Sequence, residues 1–328
     1  MNPEWAPQDG ILIAWPHEGT DWAYILDDVT ACYRALAHAI VESGERLLII
    51  TPEMNIPAPQ SPLVTLLQLP TNDTWARDFG PIGVNTPAGV ELLDFQFNGW
   101  GLKFAADCDN MVNRRLDCLK APLRNHQDMV LEGGSIEADG NGTVLTTEQC
   151  LLSVNRNDAW DRDRITRELC ERLGCRKVLW LRHGALAGDD TDGHIDTLAR
   201  FAPSGTLLYT GCDDPTDEHF AELRMMEEEL MAMTDADGKP YRLVRLPLPD
   251  PIADEISRLP ATYANFLVLN TRVLVPTYRQ ERKDRQAMDA IATAFPGREV
   301  VGIDCLPLIR QHGSLHCATM QLPAGSLS

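Results

Sequence analysis

The chain has 328 residues, of which 44% are hydrophobic and 23% are charged, a balance that supports a large buried core. A formal net charge of −19 without any basic stripe argues against a nucleic-acid partner; it would attract a cationic ligand, although solubility alone also explains it. No apolar run approaches the about 18 residues of a membrane span, and the polar start does not resemble a secretory leader, so we expect a cytoplasmic protein with no membrane partner.

Helices are predicted where apolar residues recur at helical spacing and a stop residue follows. The segments with this pattern are 21–43, 158–173, 216–233 and 281–295. Short apolar runs predict buried strands at 10–16, 46–51 and 177–181.

Three further regions have the pattern of β-hairpins, with turns at 139–142, 203–205 and 270–271. The chain therefore mixes hairpins with helices throughout. A phosphate-binding loop is not expected, because "LEGGS" does not match GxGxxG and no helix is predicted after it.

Five polar or reactive residues recur beside the starts of strand-like runs. Their separations are 54, 62, 71 and 52 residues, and they are Asp78, Glu132, His194, Asn265 and Cys317. Five modules that each supply one residue near a strand end suggest a closed, propeller-like α/β ring around a central site. The modules share no visible sequence identity, so the spacing alone is a weak signal.

His194 and Asp196 would lie on the same face of a strand if the segment that contains them is extended. Asp190 belongs to the acidic stretch that precedes them. The pattern fits an acidic loop without function, a metal site, or a cation site in which His194 exchanges protons. Zinc sites normally contain more His or Cys ligands at short spacing, which makes the metal site the weaker interpretation.

Trp75 and Asp78 lie three residues apart in "NDTWARDFGP". An aromatic face beside a carboxylate suits a delocalised cation. The alternative is a core tryptophan next to a surface pair of Arg77 and Asp78. Glu132 lies in the apolar context "VLEGGS", where a carboxylate needs a partner, and a buried histidine would serve.

Cys317 lies in "HGSLHCATMQLP", between a Gly-Ser turn and an apolar run. It is one of nine cysteines that form no CxxC pair, which is typical of free thiols in a reducing compartment. Taken alone it is a packed thiol. Together with a histidine and several carboxylates it becomes a candidate nucleophile.

Several motifs in chain order resemble the agmatine deiminase and bacterial peptidyl-arginine deiminase family. They are "WARDFGP", "LEGGSIEADGNGTVLTTE", "DTDGHIDTLARF", "YANFLVLN" and "GSLHC". The start "PEWAPQDGILIAWP" is also similar, so the resemblance covers nearly the whole chain. It implies one catalytic domain over residues 1–328 with the pentein fold, an α/β propeller with five-fold pseudosymmetry.

The resemblance implies that the Cys317 thiolate attacks a guanidinium carbon while Asp78 and Asp196 bind the guanidinium nitrogens. Two carboxylates can orient such a planar cation through its fixed donor directions. The carboxylates should raise the pKa of the Cys317 thiol, whereas a bound guanidinium should lower it. We therefore expect the substrate to assist ionisation of the nucleophile.

The resemblance also implies that His194 protonates the departing ammonia and then activates water, with Glu132 holding the imidazole. Asn265 matches a supporting position near the nucleophile. Neither a metal nor an organic cofactor is needed, because the guanidinium carbon is electrophilic and the thiolate is a strong nucleophile. The family often assembles into dimers or larger oligomers, which allows a homo-oligomer here.

Among small cationic guanidines, the resemblance favours agmatine. "FNGWGLKF" is similar to the agmatine branch, and no arginine lies between Arg77 and Arg114 to hold a substrate carboxylate. Trp75 and Asp190 suit a dication. "CDN" and "HIDT" depart from that branch. A peptidyl-arginine or another small guanidine is the alternative substrate, and a non-catalytic guanidine-binding relative is the alternative of a different class.

Overall fold

Small β-sheets follow one another around a ring in the computed structural model, which describes residues 1–328. The strands are β1 (Gln8–Ala14), β2 (Arg46–Thr51), β3 (Val64–Gln68), β4 (Ile82–Thr86), β5 (Gly89–Gln96), β6 (Leu123–Val130), β7 (Glu137–Ala138), β8 (Thr143–Thr147), β9 (Lys177–Leu181), β10 (Ala199–Ala202), β11 (Thr206–Gly211), β12 (Arg242–Pro247), β13 (Leu267–Val268), β14 (Arg272–Thr277), β15 (Glu299–Asp304) and β16 (Thr319–Pro323). The three predicted buried strands correspond to β1, β2 and β9.

Helices occupy most of the longer connections between strands. They are α1 (Leu26–Glu42), α2 (Ala76–Phe79), α3 (Gly99–Leu102), α4 (Glu148–Leu151), α5 (Val154–Asn157), α6 (Arg162–Leu173), α7 (Phe220–Ala232) and α8 (Glu281–Ala294). The four predicted helices correspond to α1, α6, α7 and α8. None of the helices has both the length and the apolar character that crossing a bilayer requires.

One strand pattern recurs in all five sheets. The first two strands are antiparallel and the third is parallel to the second. Four sheets use consecutive strands, whereas the fifth has the order β16-β1-β2-β3 and combines the two ends of the chain. Pairing of Ile13 with Thr319 and of Leu12 with Met320 closes the ring. The predicted five-fold α/β propeller is confirmed.

The predicted hairpins at 139–142, 203–205 and 270–271 join β7 to β8, β10 to β11, and β13 to β14. Each opens one module. The residues whose spacing suggested five modules all precede the first strand of a module: Asp78 before β4, Glu132 before β7, His194 before β10, Asn265 before β13 and Cys317 before β16. A strand that starts at the ring centre brings the preceding side chain to the same place in every module.

The prediction that His194 and Asp196 share a strand is wrong. Residues Ile195–Thr197 form a 3-10 turn, and β10 begins only at Ala199. The hydroxyl of Thr197 donates to the carbonyl of His194 at 2.9 Å, and the backbone N–H of His194 donates to the hydroxyl of Thr191 at 3.1 Å. These local hydrogen bonds stabilise a turn instead of an extended segment.

Candidate active site

Cys317 faces a cleft at the centre of the ring and is 6% exposed. Its Sγ accepts a hydrogen bond from Asn265 Nδ2 at 3.2 Å and lies 3.6 Å from Asp196 Oδ2. Burial and the negative charges of Asp196 and Asp78 raise the pKa of the Cys317 thiol well above its ordinary value. Both effects disfavour the thiolate, and a cation bound beside the sulfur would oppose them.

Asn265 holds the backbone around the nucleophile. Its Oδ1 accepts from the backbone N–H groups of His316 at 3.0 Å and Cys317 at 3.2 Å. The side chain is buried, and its Nδ2 points at the sulfur. One amide thus fixes the turn that precedes β16 and the direction of the thiol.

His194 is completely buried. Its Nε2 lies 3.2 Å from Glu132 Oε2, whereas Nδ1 lies 3.6 Å from Asp78 Oδ1 and has no hydrogen-bond partner. Burial opposes protonation, but the charge of Asp78 and the hydrogen bond with Glu132 raise the pKa of His194 well above its ordinary value. An imidazolium at this position can donate a proton from Nδ1.

Glu132 is paired with Arg156, and its side chain is 0% exposed. Nε of Arg156 donates to both of its carboxylate oxygens, at 3.1 and 2.8 Å. Burial would raise the pKa of Glu132, but His194 and Arg156 lower it below its ordinary value. Arg156 supplies the positive charge that a buried carboxylate needs. Glu132 was predicted from the sequence, whereas Arg156 was not.

Asp78 and Asp196 are both buried. Asp78 accepts from Trp100 Nε1 at Oδ2 and from the Gly134 backbone N–H at Oδ1, both at 2.9 Å. Burial raises the pKa of Asp78 to about 6, with His194 opposing the shift and Asp196 adding to it. The alternative of a surface pair is wrong, because Arg77 is also buried and forms its ion pair with Glu4.

Asp196 has one bound and one free oxygen. Its Oδ2 lies 2.7 Å from Nδ1 of His316, whereas Oδ1 is buried without a partner. Burial would raise the pKa of Asp196, but the hydrogen bond with His316 lowers it. Oδ1 therefore has unused hydrogen-bonding capacity, whereas Oδ2 is the oxygen that lies beside Cys317.

Gly134 marks the point where three of these groups converge. A Cβ at this position would lie 2.6 Å from His194 Nδ1, 2.9 Å from Asp78 Oδ1 and 3.0 Å from Asp196 Oδ2. A proton donor and two acceptors therefore surround one small space.

The cleft leads from Cys317 to the surface and has a volume of about 440 Å³. Aromatic side chains line it, namely Trp75, Trp100 and Phe104. The ring of Trp75 packs so closely on Gly313 that a Cβ there would lie 2.3 Å from it. The predicted substrate-binding residue Trp75 therefore does line the site.

Trp100 is held by an unusual backbone. The φ angles are +69° at Gly99, +55° at Trp100, +83° at Gly101 and +68° at Leu102. Two non-glycine residues in left-handed conformation cost about 1–3 kcal/mol each. This turn places the indole N–H against Asp78 and the ring against the cleft.

Three carboxylates lie at the outer part of the cleft: Asp21, Asp73 and Asp190. None of the lining residues is an arginine or a lysine. Burial raises the pKa of Asp73 to about 7, with Asp21 and Asp190 adding to the shift. Burial also raises the pKa of Asp190. Asp190 was predicted, whereas Asp21 and Asp73 were missed because their contribution depends on chain segments that meet only in the folded ring.

Two clusters contain enough ligand atoms for a metal, within 4.8 Å of one another in each case: Glu132 with Cys150 and His194, and Glu4 with Glu137 and His316. An arginine already neutralises the carboxylates in each cluster, Arg156 in the first and Arg200 in the second. These positive charges disfavour a divalent cation.

The sequence profile of the Porphyromonas-type peptidyl-arginine deiminase family matches residues 1–323. The fold and the relatives described below define a hydrolase that acts on the carbon–nitrogen bonds of guanidino groups. The chain belongs to the Porphyromonas-type peptidyl-arginine deiminase family.

Two solved structures are similar along almost their whole length. A Porphyromonas gingivalis protein provisionally described as an arginine deiminase is 49% identical, with a TM-score of 0.94 over 99% of this chain and 98% of that one. A cysteine-to-serine variant of C. jejuni agmatine deiminase with substrate bound is 36% identical, with a TM-score of 0.91 over 99% and 96%.

The agmatine deiminase of Medicago truncatula is 31% identical over 99% of this chain and 96% of its own length. A dimethylarginine dimethylaminohydrolase shares the fold alone, with a TM-score of 0.56 at 13% identity.

Proposed function

We propose that this chain converts agmatine and water to N-carbamoylputrescine and ammonia. The observation that carries the proposal is the distribution of charge along the cleft. A thiol and two carboxylates lie at its inner end, and three carboxylates without any arginine or lysine lie at its outer part. Agmatine carries a guanidinium at one end and an ammonium at the other, whereas free arginine would bring a carboxylate to the acidic mouth.

The first half of the reaction forms a covalent intermediate. The guanidinium, bound between Asp78 and Asp196, lowers the pKa of the Cys317 thiol, the thiol proton passes to solvent, and the thiolate attacks the guanidinium carbon. His194, as an imidazolium, donates its Nδ1 proton to the departing nitrogen, which leaves as ammonia. An S-alkylthiouronium remains on the sulfur. The cysteine-to-serine relative that holds substrate supports this role for the cysteine.

The second half releases the product. His194, now neutral, removes a proton from water, and the hydroxide attacks the thiouronium carbon. Collapse of the tetrahedral species breaks the carbon–sulfur bond, releases the hydroxyl proton to solvent, and regenerates the thiolate with a neutral ureido product. Glu132 keeps the imidazole oriented and stabilises its charged form in both steps.

The proposal is tested by ammonia release from agmatine, free arginine and a blocked peptidyl-arginine, with Cys317→Ala measured in parallel. We expect activity on agmatine that the variant lacks. Activity mainly on the blocked peptide, or no activity on agmatine from folded protein, would contradict the assignment of agmatine.

Deimination of a peptidyl-arginine is the second candidate. The family description favours it, and exposed Leu102 and Phe104 lie where the left-handed turn reaches the cleft, at 75% and 42% exposure. A polypeptide could cover such apolar side chains. The comparison of agmatine with the blocked peptide separates the two candidates.

Replacing Asp190 with asparagine should raise KM for agmatine about tenfold, with kcat almost unchanged, because an ammonium loses one charged acceptor. KM for an alkylguanidine without the amine should not change. The measurement is steady-state ammonia release with both substrates. Asp27→Asn removes an exposed carboxylate on α1 and serves as the control. Equal increases in KM for both substrates would contradict a role in binding the amine.

The pH dependence of Cys317 alkylation should change when a guanidine is bound. Only the thiolate reacts, and because burial and carboxylates raise the thiol pKa, alkylation of the free enzyme should become fast only above the ordinary cysteine range. A bound non-reactive guanidine opposes those carboxylates and should shift the midpoint to lower pH. Mass spectrometry of protein treated with iodoacetamide at each pH measures the alkylated fraction of Cys317. Identical profiles with and without the guanidine would contradict substrate-assisted ionisation.

A further inference from the structure

Glu4 reaches from the N-terminal segment into the centre of the ring, behind the nucleophile. Its side chain is 14% exposed. Oε1 lies 2.6 Å from His316 Nε2 and 3.2 Å from a terminal nitrogen of Arg77. Oε2 accepts from Arg200 and, at 3.1 Å, from Gln321 Nε2. Four separate donors therefore converge on one carboxylate, and both of its oxygens are paired.

His316 connects Glu4 to the candidate active site. The imidazole is fully buried, and its Nδ1 lies 2.7 Å from Asp196 Oδ2. That same oxygen lies 3.6 Å from Cys317 Sγ, while the other oxygen of Asp196 has no partner. An unbroken chain of polar contacts therefore joins Glu4, through His316 and Asp196, to the nucleophile.

The charges around His316 are balanced. Asp196 and Glu4 touch its two ring nitrogens, and the guanidinium groups of Arg77 and Arg200 lie close by. Glu137 completes the cluster through its ion pair with Arg200. Burial and the two arginines lower the pKa of His316, and Glu4 and Asp196 act against that change. Without Glu4, the imidazole would lose the contact at Nε2, which is one of the two that fix the orientation of its ring.

We propose that Glu4 is a positioning residue of the reaction. By binding Nε2 of His316, it fixes the Nδ1 side of the ring against Oδ2 of Asp196, and so holds in place the carboxylate oxygen that faces Cys317 Sγ and the space at Gly134. The inference rests on the proposed function of Asp196 in binding the guanidino group. It makes the first residues of the chain part of the active centre, although they contact no substrate.

A second cavity offers a route to this cluster. Its volume is about 480 Å³, it shares no lining residue with the substrate cleft, and its walls include Glu4, Arg77 and Gln321. If the Glu4 side chain is shortened to alanine, a small carboxylate can enter from this cavity and lie between the arginines. Formate therefore serves as a probe for the missing carboxylate.

The test compares kcat and KM for Glu4→Gln with those of the wild type. We expect kcat to fall about tenfold to a hundredfold, because a misaimed carboxylate disturbs the attack geometry. KM should change less, because the residues at the outer part of the cleft still hold the amine. In a His316→Asn background, Glu4→Gln should cause little further loss, since the effect passes through His316.

Formate separates positioning from simple stabilisation. It should restore much of the kcat of Glu4→Ala and should leave the wild type and the Glu4→Ala, His316→Asn double variant unchanged. The control is Glu45→Gln, which removes a buried carboxylate that is bonded to Ser43 and to the backbone of Asn270, away from the site. A loss of kcat in Glu45→Gln equal to that in Glu4→Gln would overturn the inference.

A readout without substrate keeps the inference separate from the choice of agmatine. The pH midpoint of Cys317 alkylation should move to lower pH in Glu4→Gln, because removing one negative charge leaves Arg77 and Arg200 less neutralised. If the wild type does not act on agmatine, the proposed function fails. The shift of the alkylation midpoint still tests whether Glu4 acts on Cys317 through His316 and Asp196. Wild-type kcat together with a wild-type alkylation profile in folded Glu4→Gln would overturn it.

Discussion

Replacing Cys317 with serine should abolish turnover while the protein still folds and still binds agmatine. A hydroxyl in place of the thiol is far less acidic, so the attack on the guanidinium carbon loses its nucleophile. Losing a nucleophile lowers kcat by about 10⁴-fold or more. Asp78, Asp196 and the carboxylates at the outer part of the cleft remain, so calorimetry should detect agmatine binding near the wild-type affinity.

Cys118→Ser provides the matched control, because this half-buried cysteine lies away from the cleft. It should retain full activity. Measurable turnover by Cys317→Ser near the wild-type rate would exclude covalent catalysis through this sulfur. Loss of both binding and turnover, in protein with an intact fold, would instead place Cys317 among the binding groups.

Replacing Gly134 with alanine should lower kcat/KM by about a thousandfold. One methyl group would fall within 3.0 Å of functional atoms of His194, Asp78 and Asp196, so all three must shift or the space for the guanidinium is filled. Displacements of about 1 Å in such groups cost about a hundredfold in rate, and here the substrate position is also blocked. Steady-state ammonia release measures the effect.

Thermal unfolding of Gly134→Ala distinguishes this cause from general damage. Overpacking should lower stability by about 1–3 kcal/mol, which leaves the protein folded at assay temperature. Gly297→Ala is the control: its φ is +91°, and a Cβ there meets no atom within 4 Å, so it carries backbone strain without contact to the site. A variant at Gly134 that keeps wild-type activity would show that the three groups do not converge around the substrate.

Closure of the ring by β1 and β16 determines where the nucleophile lies. Cys317 lies directly before β16, and β16 is held by pairing with β1 at the other end of the chain. The geometry of the nucleophile therefore depends on a contact between residues that are far apart in sequence. Glu4, just before β1, enters the same region, so residues from near both ends of the chain meet there.

Local sequence patterns were sufficient to predict many of the helices and hairpins. The apolar spacing of α1, α6, α7 and α8 was readable because a helix facing a core repeats its buried side chains every three to four residues. The turns of three hairpins were readable from their glycine, asparagine and proline residues. The hairpin between β4 and β5 was missed, since the polar residues in both strands obscure the pattern.

Sequence analysis also predicted the residues that supply one polar group per module, and the structure brings them to one place. Asn265 reaches Cys317, and Glu132 reaches His194. The resemblance to a known family, more than their spacing, identified these residues. The 3-10 turn at Ile195–Thr197 was not predicted, because alternation of polar and apolar residues cannot distinguish a strand from a short turn in a buried position.

Only the tertiary structure decided which partners surround these groups. Arg156 neutralises Glu132, His316 binds Asp196, and Glu4 binds His316 across 312 residues of sequence. No local pattern predicts such contacts, because their energy depends on distance and burial in the folded ring and not on neighbours along the chain. The sequence by itself therefore determined the modules and the reacting groups, whereas the packing of the closed ring decided their orientation and charge.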